Sequence, residues 1–102
     1  MDIKAKKSLG QNFLQDELVL KNIAGSINTT KNDLIIEIGP GMGALTKYLK
    51  EKKSFLICYE IDTRLKSILK PFEDEKTKII YQDFLKSNIS LDSKDFNYEN
   101  CY

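Results

Sequence analysis

A nearly unbroken apolar run that ends in a glycine-rich turn constrains the fold of this chain more than any other feature. Leu34 to Ile38 is interrupted only by Glu37, and Gly39 to Gly43 follows it as Gly-Pro-Gly-Met-Gly. Such a run suits a strand covered on both faces, and glycines adopt backbone angles that other residues avoid. A helix-like stretch begins at Ala44. This order predicts a strand, a turn and a helix, with a nucleotide-like cofactor against the turn.

The remaining hydrophobic pattern alternates helices with strands. Apolar residues that recur at i, i+3, i+4 and i+7 predict helices, and short unbroken apolar runs predict strands. The sequence therefore predicts an α/β fold with a parallel sheet and right-handed crossovers. The predicted elements are a helix capped by Asp16, a strand at 34–38, a helix ending at 50–53, a strand at 55–61, a helix with the stripe Leu65 to Phe72 whose extent Pro71 limits, and a strand at 78–81. Beyond Asp83 the chain is polar and weakly patterned, although Tyr98 to Tyr102 suits the start of another strand.

Composition excludes several classes of protein. The chain has 102 residues, 41% of them hydrophobic and 30% charged, as expected of one globular domain or part of one. It contains no histidine, and the positions of its two cysteines do not suggest a metal site or a disulfide framework. No apolar run is long enough to span a membrane and no secretory signal precedes the domain, so we expect a cytoplasmic protein that needs no metal.

The glycine turn alone leaves the cofactor open. Gly39, Gly41 and Ala44 also satisfy the dinucleotide-binding pattern, and Glu60 stands about 20 residues later, where an acid accepts hydrogen bonds from ribose. An NAD-type module is therefore one interpretation. Glu37 at the end of the first predicted strand and Asp83 at the end of the third suit S-adenosylmethionine better, since Asp83 can accept a hydrogen bond from an adenine amino group.

An upstream segment separates these alternatives. Residues 6–14 read Lys-Lys-Ser-Leu-Gly-Gln-Asn-Phe-Leu, and Asp16 follows. Together with residues 37–43, this segment resembles the ribosomal RNA adenine dimethyltransferases, and it looks closer to the KsgA type, which acts on small-subunit rRNA, than to the related Erm type. The resemblance covers residues 4–84 and implies an incomplete Rossmann-like class I S-adenosylmethionine-dependent methyltransferase fold, of which the first three strands are present.

The resemblance also implies cofactor-binding residues. Asn12 and Leu14 would contact the methionine end of S-adenosylmethionine, and Gly39 would lie against it, with Gly41 in the same turn. Glu60 would hold the ribose. Two further residues would bind the adenine ring, namely Ile61 as an apolar wall and Asp83 as the acceptor of its amino group.

In this family the target adenine leaves its helix, and an Asn-Leu-Pro-Tyr type motif after the fourth strand binds it. Prolines occur here only at positions 40 and 71, so we expect that motif beyond Tyr102 and no catalytic residue in this chain. The expected organisation is a basic, cofactor-contacting arm at 1–15 and a partial methyltransferase domain at 16–102, inactive by itself.

Two expectations concern partners. The resemblance implies binding to small-subunit rRNA or a pre-ribosomal subunit, although an RNA-binding assembly factor that has lost methylation is a second interpretation. A parallel sheet without its fourth strand leaves the edge of the first strand unpaired, and exposed edges favour association with other chains. We therefore expect marginal stability or self-association along that edge.

Overall fold

The computed structural model describes residues 16–102, which form a three-stranded parallel sheet in the order β1-β2-β3 with helical segments on both faces. In chain order the elements are α1 (Glu17–Ser26), β1 (Leu34–Ile38), α2 (Thr46–Lys50), β2 (Phe55–Tyr59), α3 (Lys66–Leu69), β3 (Thr77–Ile80) and α4 (Ile89–Asp92). This order confirms the predicted α/β fold. The predicted arm at 1–15, including Asn12 and Leu14, lies outside the described residues.

Asp16 caps the N-terminus of α1, as the sequence predicts. The Asp16 carboxylate accepts hydrogen bonds from the backbone N–H groups of Leu18 (2.9 Å) and Val19 (3.3 Å). An acceptor at this position satisfies N–H groups that have no partner within the helix. α1 then buries Leu20 and Ala24 against the sheet.

Alternate residues of the strands supply two hydrophobic cores. On one face Ile35, Leu56 and Ile79 pack with residues of α1, α2 and α3. On the other face Leu34 and Ile57 lie in a second cluster. Successive strand residues point to opposite faces, so a strand with both faces covered must be apolar throughout. The apolar character of residues 34–38 and 55–59 follows from this requirement.

The helix predicted from Leu65 to Phe72 is divided. α3 has only four residues and lies between 3-10 turns at Thr63–Leu65 and Lys70–Phe72. Pro71 cannot donate a backbone hydrogen bond, so the α-helical ladder does not continue through it. The strands also differ from prediction by one or two residues: β2 ends at Tyr59, before the predicted Ile61, and β3 spans 77–80.

The weakly patterned segment after Asp83 covers the second face of the sheet. Phe96 is buried and stacks on Phe55 with 4.7 Å between ring centroids. The Tyr59 hydroxyl donates a 2.7 Å hydrogen bond to Asp92 in α4. The sequence pattern missed this layer because scattered aromatic contacts, rather than a periodic helix face, hold it in place.

The expectation of an unpaired β1 edge was wrong over the first part of the strand. Leu34 N–H donates to Asn100 C=O, Tyr102 N–H donates to Leu34 C=O, and Ile36 N–H donates to Tyr102 C=O, each at 2.8 Å. Leu34 and Cys101 form a parallel bridge. The end of the described chain therefore begins a fourth strand beside β1, as the sequence suggested for residues 98–102. Within residues 16–102, no helix is long and apolar enough to cross a membrane.

Candidate cofactor site

The residues that follow the three strands meet at one edge of the sheet. Gly39 follows β1, Glu60 and Ile61 follow β2, and Asp83 lies three residues after the end of β3. All four line a cleft of about 470 Å³, which we call the strand-end cleft. Parallel strands present their carboxyl ends at the same edge, where α/β proteins bind ligands. The sequence therefore identified residues that the fold brings together.

The glycine turn divides into an open part and a packed part. Its three glycines have φ angles of +71° (Gly39), +60° (Gly41) and +89° (Gly43), which other residues rarely adopt. A Cβ atom added at Gly39 or Gly41 would meet nothing within 4 Å. A Cβ atom at Gly43 would lie 2.5 Å from the Phe72 ring. Gly39 and Gly41 therefore have open space beside their main chain, and Gly43 serves the packing of the 3-10 turn at 70–72.

Glu60 joins the glycine turn to the end of β2. The residue is only 6% exposed, and its carboxylate accepts the N–H of Gly41 at 3.0 Å on one oxygen and the N–H of Asp62 at 2.9 Å on the other. Each carboxylate oxygen accepts about two hydrogen bonds, so each keeps capacity for one more donor. Sequence spacing suggested a ribose-binding acid here, but it did not show that the same acid positions the turn.

The loop after Glu60 is held by a second carboxylate. Asp62 accepts hydrogen bonds from the backbone N–H of Arg64 at 3.0 Å and from its guanidinium at 2.9 Å. These hydrogen bonds lower the pKa of Asp62 to about 2, so its carboxylate is ionised in neutral solution. The backbone N–H of Asp62 also donates to Glu60. The Asp62–Arg64 loop therefore helps to position Glu60 in the cleft.

Exposed apolar side chains flank the strand-end cleft. Ile61 is 71% exposed and Leu85 is 88% exposed, although both line the cleft. Asp83 accepts the Leu85 N–H at 3.0 Å on one oxygen, and its other oxygen has no hydrogen-bond partner among residues 16–102. Exposed apolar side chains and an acceptor oxygen in one cleft suit a flat heteroaromatic ring that carries an amino group. Sequence reasoning missed Leu85, whose only signal is its position two residues after Asp83.

Glu37 lies beneath the turn rather than in the strand-end cleft. Its side chain accepts a 2.6 Å hydrogen bond from the Thr46 hydroxyl and a 3.5 Å contact from the Cys58 thiol. Burial is the largest cause of a raised pKa for Glu37, and it also raises the pKa of Cys58. Glu37 lines a second cleft of about 380 Å³ with Pro40 and Ala44, which we call the β1 cleft.

The two clefts adjoin, because Ile38 and Gly39 line both of them. Their combined surface offers open main chain at the turn, two acidic groups with spare acceptor capacity and exposed apolar walls. This donor and acceptor set fits an adenosine-bearing cofactor. In the part of the chain that the structure describes, no group of three His, Cys, Asp or Glu side chains could hold a metal ion.

Comparison with known proteins gives the family. The profile described as "Ribosomal RNA adenine dimethylase" matches residues 2–100. Ribosomal RNA small subunit methyltransferase A of Phytoplasma australiense is 44% identical over 101 residues, which are 99% of this chain and 35% of the relative. The protein of the same description from Francisella tularensis subsp. novicida is 47% identical over 89 residues, 85% of this chain and 34% of that protein.

A solved structure supports the same grouping. The crystal structure of the 23S rRNA methyltransferase ErmE superimposes with a TM-score of 0.64 at 30% identity, over 76% of this chain and 32% of that one. The fold is therefore that of a Rossmann-like methyltransferase, with an incomplete sheet.

This chain belongs to the ribosomal RNA adenine dimethylase family, as the sequence resemblance indicated. The family consists of S-adenosylmethionine-dependent methyltransferases, which confirms the expected cofactor class. The chain spans about a third of the length of the curated relatives that it matches.

Proposed function

We propose that this chain supplies the S-adenosylmethionine pocket of an rRNA adenine N6,N6-dimethyltransferase that acts on adjacent adenosines near the 3' end of small-subunit rRNA during ribosome biogenesis. The observation that carries the proposal is the meeting of Gly39, Gly41, Glu60 and Asp83 at one sheet edge. The membership of the family and the identity to small-subunit methyltransferases support the substrate.

Each cleft residue has a proposed role. Glu60 accepts hydrogen bonds from the ribose hydroxyls, using the acceptor capacity that its two backbone contacts leave. Asp83 accepts the adenine amino group, and Ile61 packs against the ring with Leu85 opposite. Gly39 and Gly41 let the cofactor approach the main chain. Asn12 and Leu14 would contact the methionine end.

The bound cofactor supplies an electrophilic methyl group. The protein's contribution within residues 16–102 is to hold and orient the cofactor, since positioning of the reacting groups lowers the barrier to transfer. Asn97, Tyr98 and Asn100 are not base-binding residues in this proposal. Tyr98 instead lies 2.9 Å from the Ser93 hydroxyl, and the Asn100 side chain donates a 3.3 Å hydrogen bond to Asp33.

The cellular location and the partners of the protein follow from its proposed substrate. The similar methyltransferases from Phytoplasma australiense and Francisella tularensis are bacterial, and we infer that this protein acts in the cytoplasm on rRNA or a pre-ribosomal subunit. Any self-association of the chain would use the part of the β1 edge after the paired positions, where Ile36 C=O and Ile38 N–H come next in the parallel pattern.

Calorimetry tests the cofactor assignment directly. We expect the chain to bind S-adenosylmethionine and not NAD. Asp83→Asn keeps an oxygen for the Leu85 N–H but replaces an acceptor by a donor facing the adenine amino group, so it should weaken binding about tenfold, equivalent to one lost hydrogen bond. Asp95→Asn, on an exposed residue away from the cleft, is the matched control. Preferential binding of NAD would refute the proposal.

A methyl-transfer assay tests whether this chain binds the cofactor without transferring its methyl group. With radiolabelled S-adenosylmethionine and small-subunit rRNA, we expect the chain to bind cofactor but to transfer no methyl groups, because it contains no Asn-Leu-Pro-Tyr type motif. Robust transfer would show that base binding also resides in these residues.

A further inference from the structure

A cluster of lysines lies at the edge of the sheet opposite the strand-end cleft. Residues that precede β1, β2 and β3 meet there and line a cleft of about 360 Å³, which we call the amino-edge cleft. Its charged residues are Lys31, Lys50, Lys53, Asp74, Glu75 and Lys76. A strand rises about 3.3 Å per residue, so strands of four or five residues place the two clefts about 13–17 Å apart. The lysine cluster is therefore separate from the residues that face the cofactor.

The amino-edge cleft is positively charged although the chain around it is not. Four of its charged residues are lysines and two are acids. Residues 16–102 as a whole contain 13 Lys and Arg against 14 Asp and Glu. Of the two acids in the cleft, Asp74 forms a 2.7 Å salt bridge with Lys50, so only Glu75 opposes the other three lysines. Positive charge concentrated on one surface favours an anionic partner.

Lys76 holds this cluster together. Its ammonium donates hydrogen bonds to the backbone C=O groups of Lys31 at 3.0 Å and of Lys53 at 2.5 Å. It also lies 4.6 Å from the centre of the Phe55 ring, which is a cation–π distance. An ammonium has three N–H donors, so one remains for a ligand. The segments that carry Lys31 and Lys53 are thus joined to each other through a third lysine.

The side chains of Lys31 and Lys53 are available to a partner. Neither ammonium has a hydrogen-bond or salt-bridge partner among residues 16–102. Lys53 also has a φ angle of +61°, and its N–H bonds to Lys50 C=O just after α2, where a helix commonly ends in glycine. A lysine at this position costs stability, and no contact of its side chain within the described residues offsets that cost. Strain of this kind is expected where a side chain serves a ligand.

We propose that the amino-edge cleft binds phosphate groups of the RNA backbone, with Lys31, Lys53 and Lys76 as the phosphate-binding residues. The proposal rests on the proposed function, since the RNA partner comes from it. Lysine ammoniums bind phosphate as point charges and do not read the base sequence. The cleft therefore holds the RNA at a second place, remote from the cofactor, and adds affinity without choosing the target adenine.

Fluorescence anisotropy with a labelled transcript of the 3' end of small-subunit rRNA measures this contact. In Lys31→Gln/Lys53→Gly we expect the affinity of the 102-residue chain in 0.1 M salt to fall about tenfold or more. The slope of log affinity against log salt should become less steep by about 1.4–1.8, because each lost phosphate contact removes about 0.7–0.9.

The matched control is Lys70→Gln/Lys94→Gln, which removes the same charge at two exposed positions outside the amino-edge cleft. It should change the affinity by less than about threefold and leave the salt slope nearly unchanged. Equal losses in the two double variants would overturn the proposal, because they would show an effect of net charge rather than of this cleft.

Lys53→Gly separates RNA binding from folding. Glycine suits a φ angle of +61°, so this variant should resist urea at least as well as the unaltered chain, yet bind RNA about threefold or more weakly. Glu75→Gln removes the acid that opposes the lysines and should strengthen RNA binding about twofold. Full RNA affinity in folded Lys53→Gly, or weaker binding in Glu75→Gln, would overturn the proposal.

Competitors identify the chemistry of the ligand. Unlabelled RNA should displace the labelled transcript, whereas inorganic phosphate or polyglutamate at the same ionic strength should not. Displacement by inorganic phosphate would indicate a site for a free anion, and displacement by polyglutamate would indicate an acidic polypeptide. Either result would overturn the assignment to RNA.

Calorimetry with S-adenosylmethionine keeps this proposal distinct from the proposed function. Lys31→Gln/Lys53→Gly should bind the cofactor as the unaltered chain does, because both residues lie at the opposite edge of the sheet. If the unaltered chain bound the cofactor but no RNA, the phosphate-binding role would be wrong and the cofactor assignment would stand. If it bound RNA through these lysines but no cofactor, the proposed function would be wrong and the RNA contact would stand.

Discussion

Gly41 and Gly43 are two residues apart in one turn, yet they are glycines for different reasons. Both have positive φ angles, +60° and +89°. Around Gly41 a Cβ atom would meet nothing within 4 Å, and its N–H donates to Glu60. Around Gly43 a Cβ atom would overlap the Phe72 ring. The glycine motif therefore combines a binding requirement with a packing requirement.

The stability of the fold and the affinity for the cofactor therefore depend on different glycines of the same motif. Changes on the packed side of the turn should act on stability, because they disturb the contact with Phe72. Changes on the open side should act mainly on cofactor affinity. Four substitutions test that separation.

Gly43→Ala should have the largest effect. The left-handed backbone costs about 1–2 kcal/mol for a residue with a Cβ atom, and overpacking against Phe72 adds about 1–3 kcal/mol. We expect the free energy of unfolding in urea to fall by about 2–5 kcal/mol. The control is Gly25→Ala, which lies in α1 with open space and should be neutral or stabilising by up to about 1 kcal/mol. Similar losses at the two positions would contradict the packing role of Gly43.

Glu60→Gln should affect both properties. The single oxygen of the amide replaces the two that accept the N–H groups of Gly41 and Asp62, and leaving one of these partly buried N–H groups without a partner costs up to about 1–3 kcal/mol. We expect this loss in the free energy of unfolding, together with at least tenfold weaker S-adenosylmethionine binding by calorimetry, or about 1.4 kcal/mol. Unchanged stability would show that Glu60 does not anchor the turn.

Gly41→Ala should affect affinity more than folding. Its backbone strain costs about 1–2 kcal/mol, but no side chain stands in the way of the new methyl group. The methyl group would occupy space next to the main chain at the cofactor turn. We expect roughly tenfold weaker cofactor binding, about 1.4 kcal/mol, and a smaller loss of stability than in Gly43→Ala. A folded variant with full affinity would show that the cofactor does not use the open space beside Gly41.

Arg64→Gln should have the smallest effect. Removing the guanidinium should raise the pKa of Asp62 from about 2 towards its ordinary 3.8, measured by NMR. The stability that this pair contributes is present above pH 3.8 and is lost as pH falls towards 2. Since the pair is exposed, we expect no measurable change in unfolding at neutral pH. A large loss at neutral pH would show that the loop matters more to the turn than its hydrogen bonds indicate.

The sequence predicted the sheet because buried strands need continuous apolar runs, and residues 34–38 and 55–59 have them. It predicted residues that meet at one edge of the sheet, because acids and glycines stand where those runs end. It placed the end of β2 two residues too late, and it did not show that local 3-10 hydrogen bonds divide the segment around α3, although Pro71 was expected to limit that helix. It also missed the layer formed around Phe96, whose contacts join residues distant in the chain.

By itself, the sequence determined the order of helices and strands along the chain, the glycine turn, the positions of Glu60 and Asp83 after predicted strands and the resemblance to the rRNA adenine dimethyltransferases. These depend on local pattern and spacing, which the chain carries directly. Only the tertiary structure decided that Gly43 packs on Phe72, that Glu60 holds Gly41, that Asn100 to Tyr102 pair with β1 and that Glu37 lines the β1 cleft. Those facts depend on which distant residues meet, and folding alone brings them together.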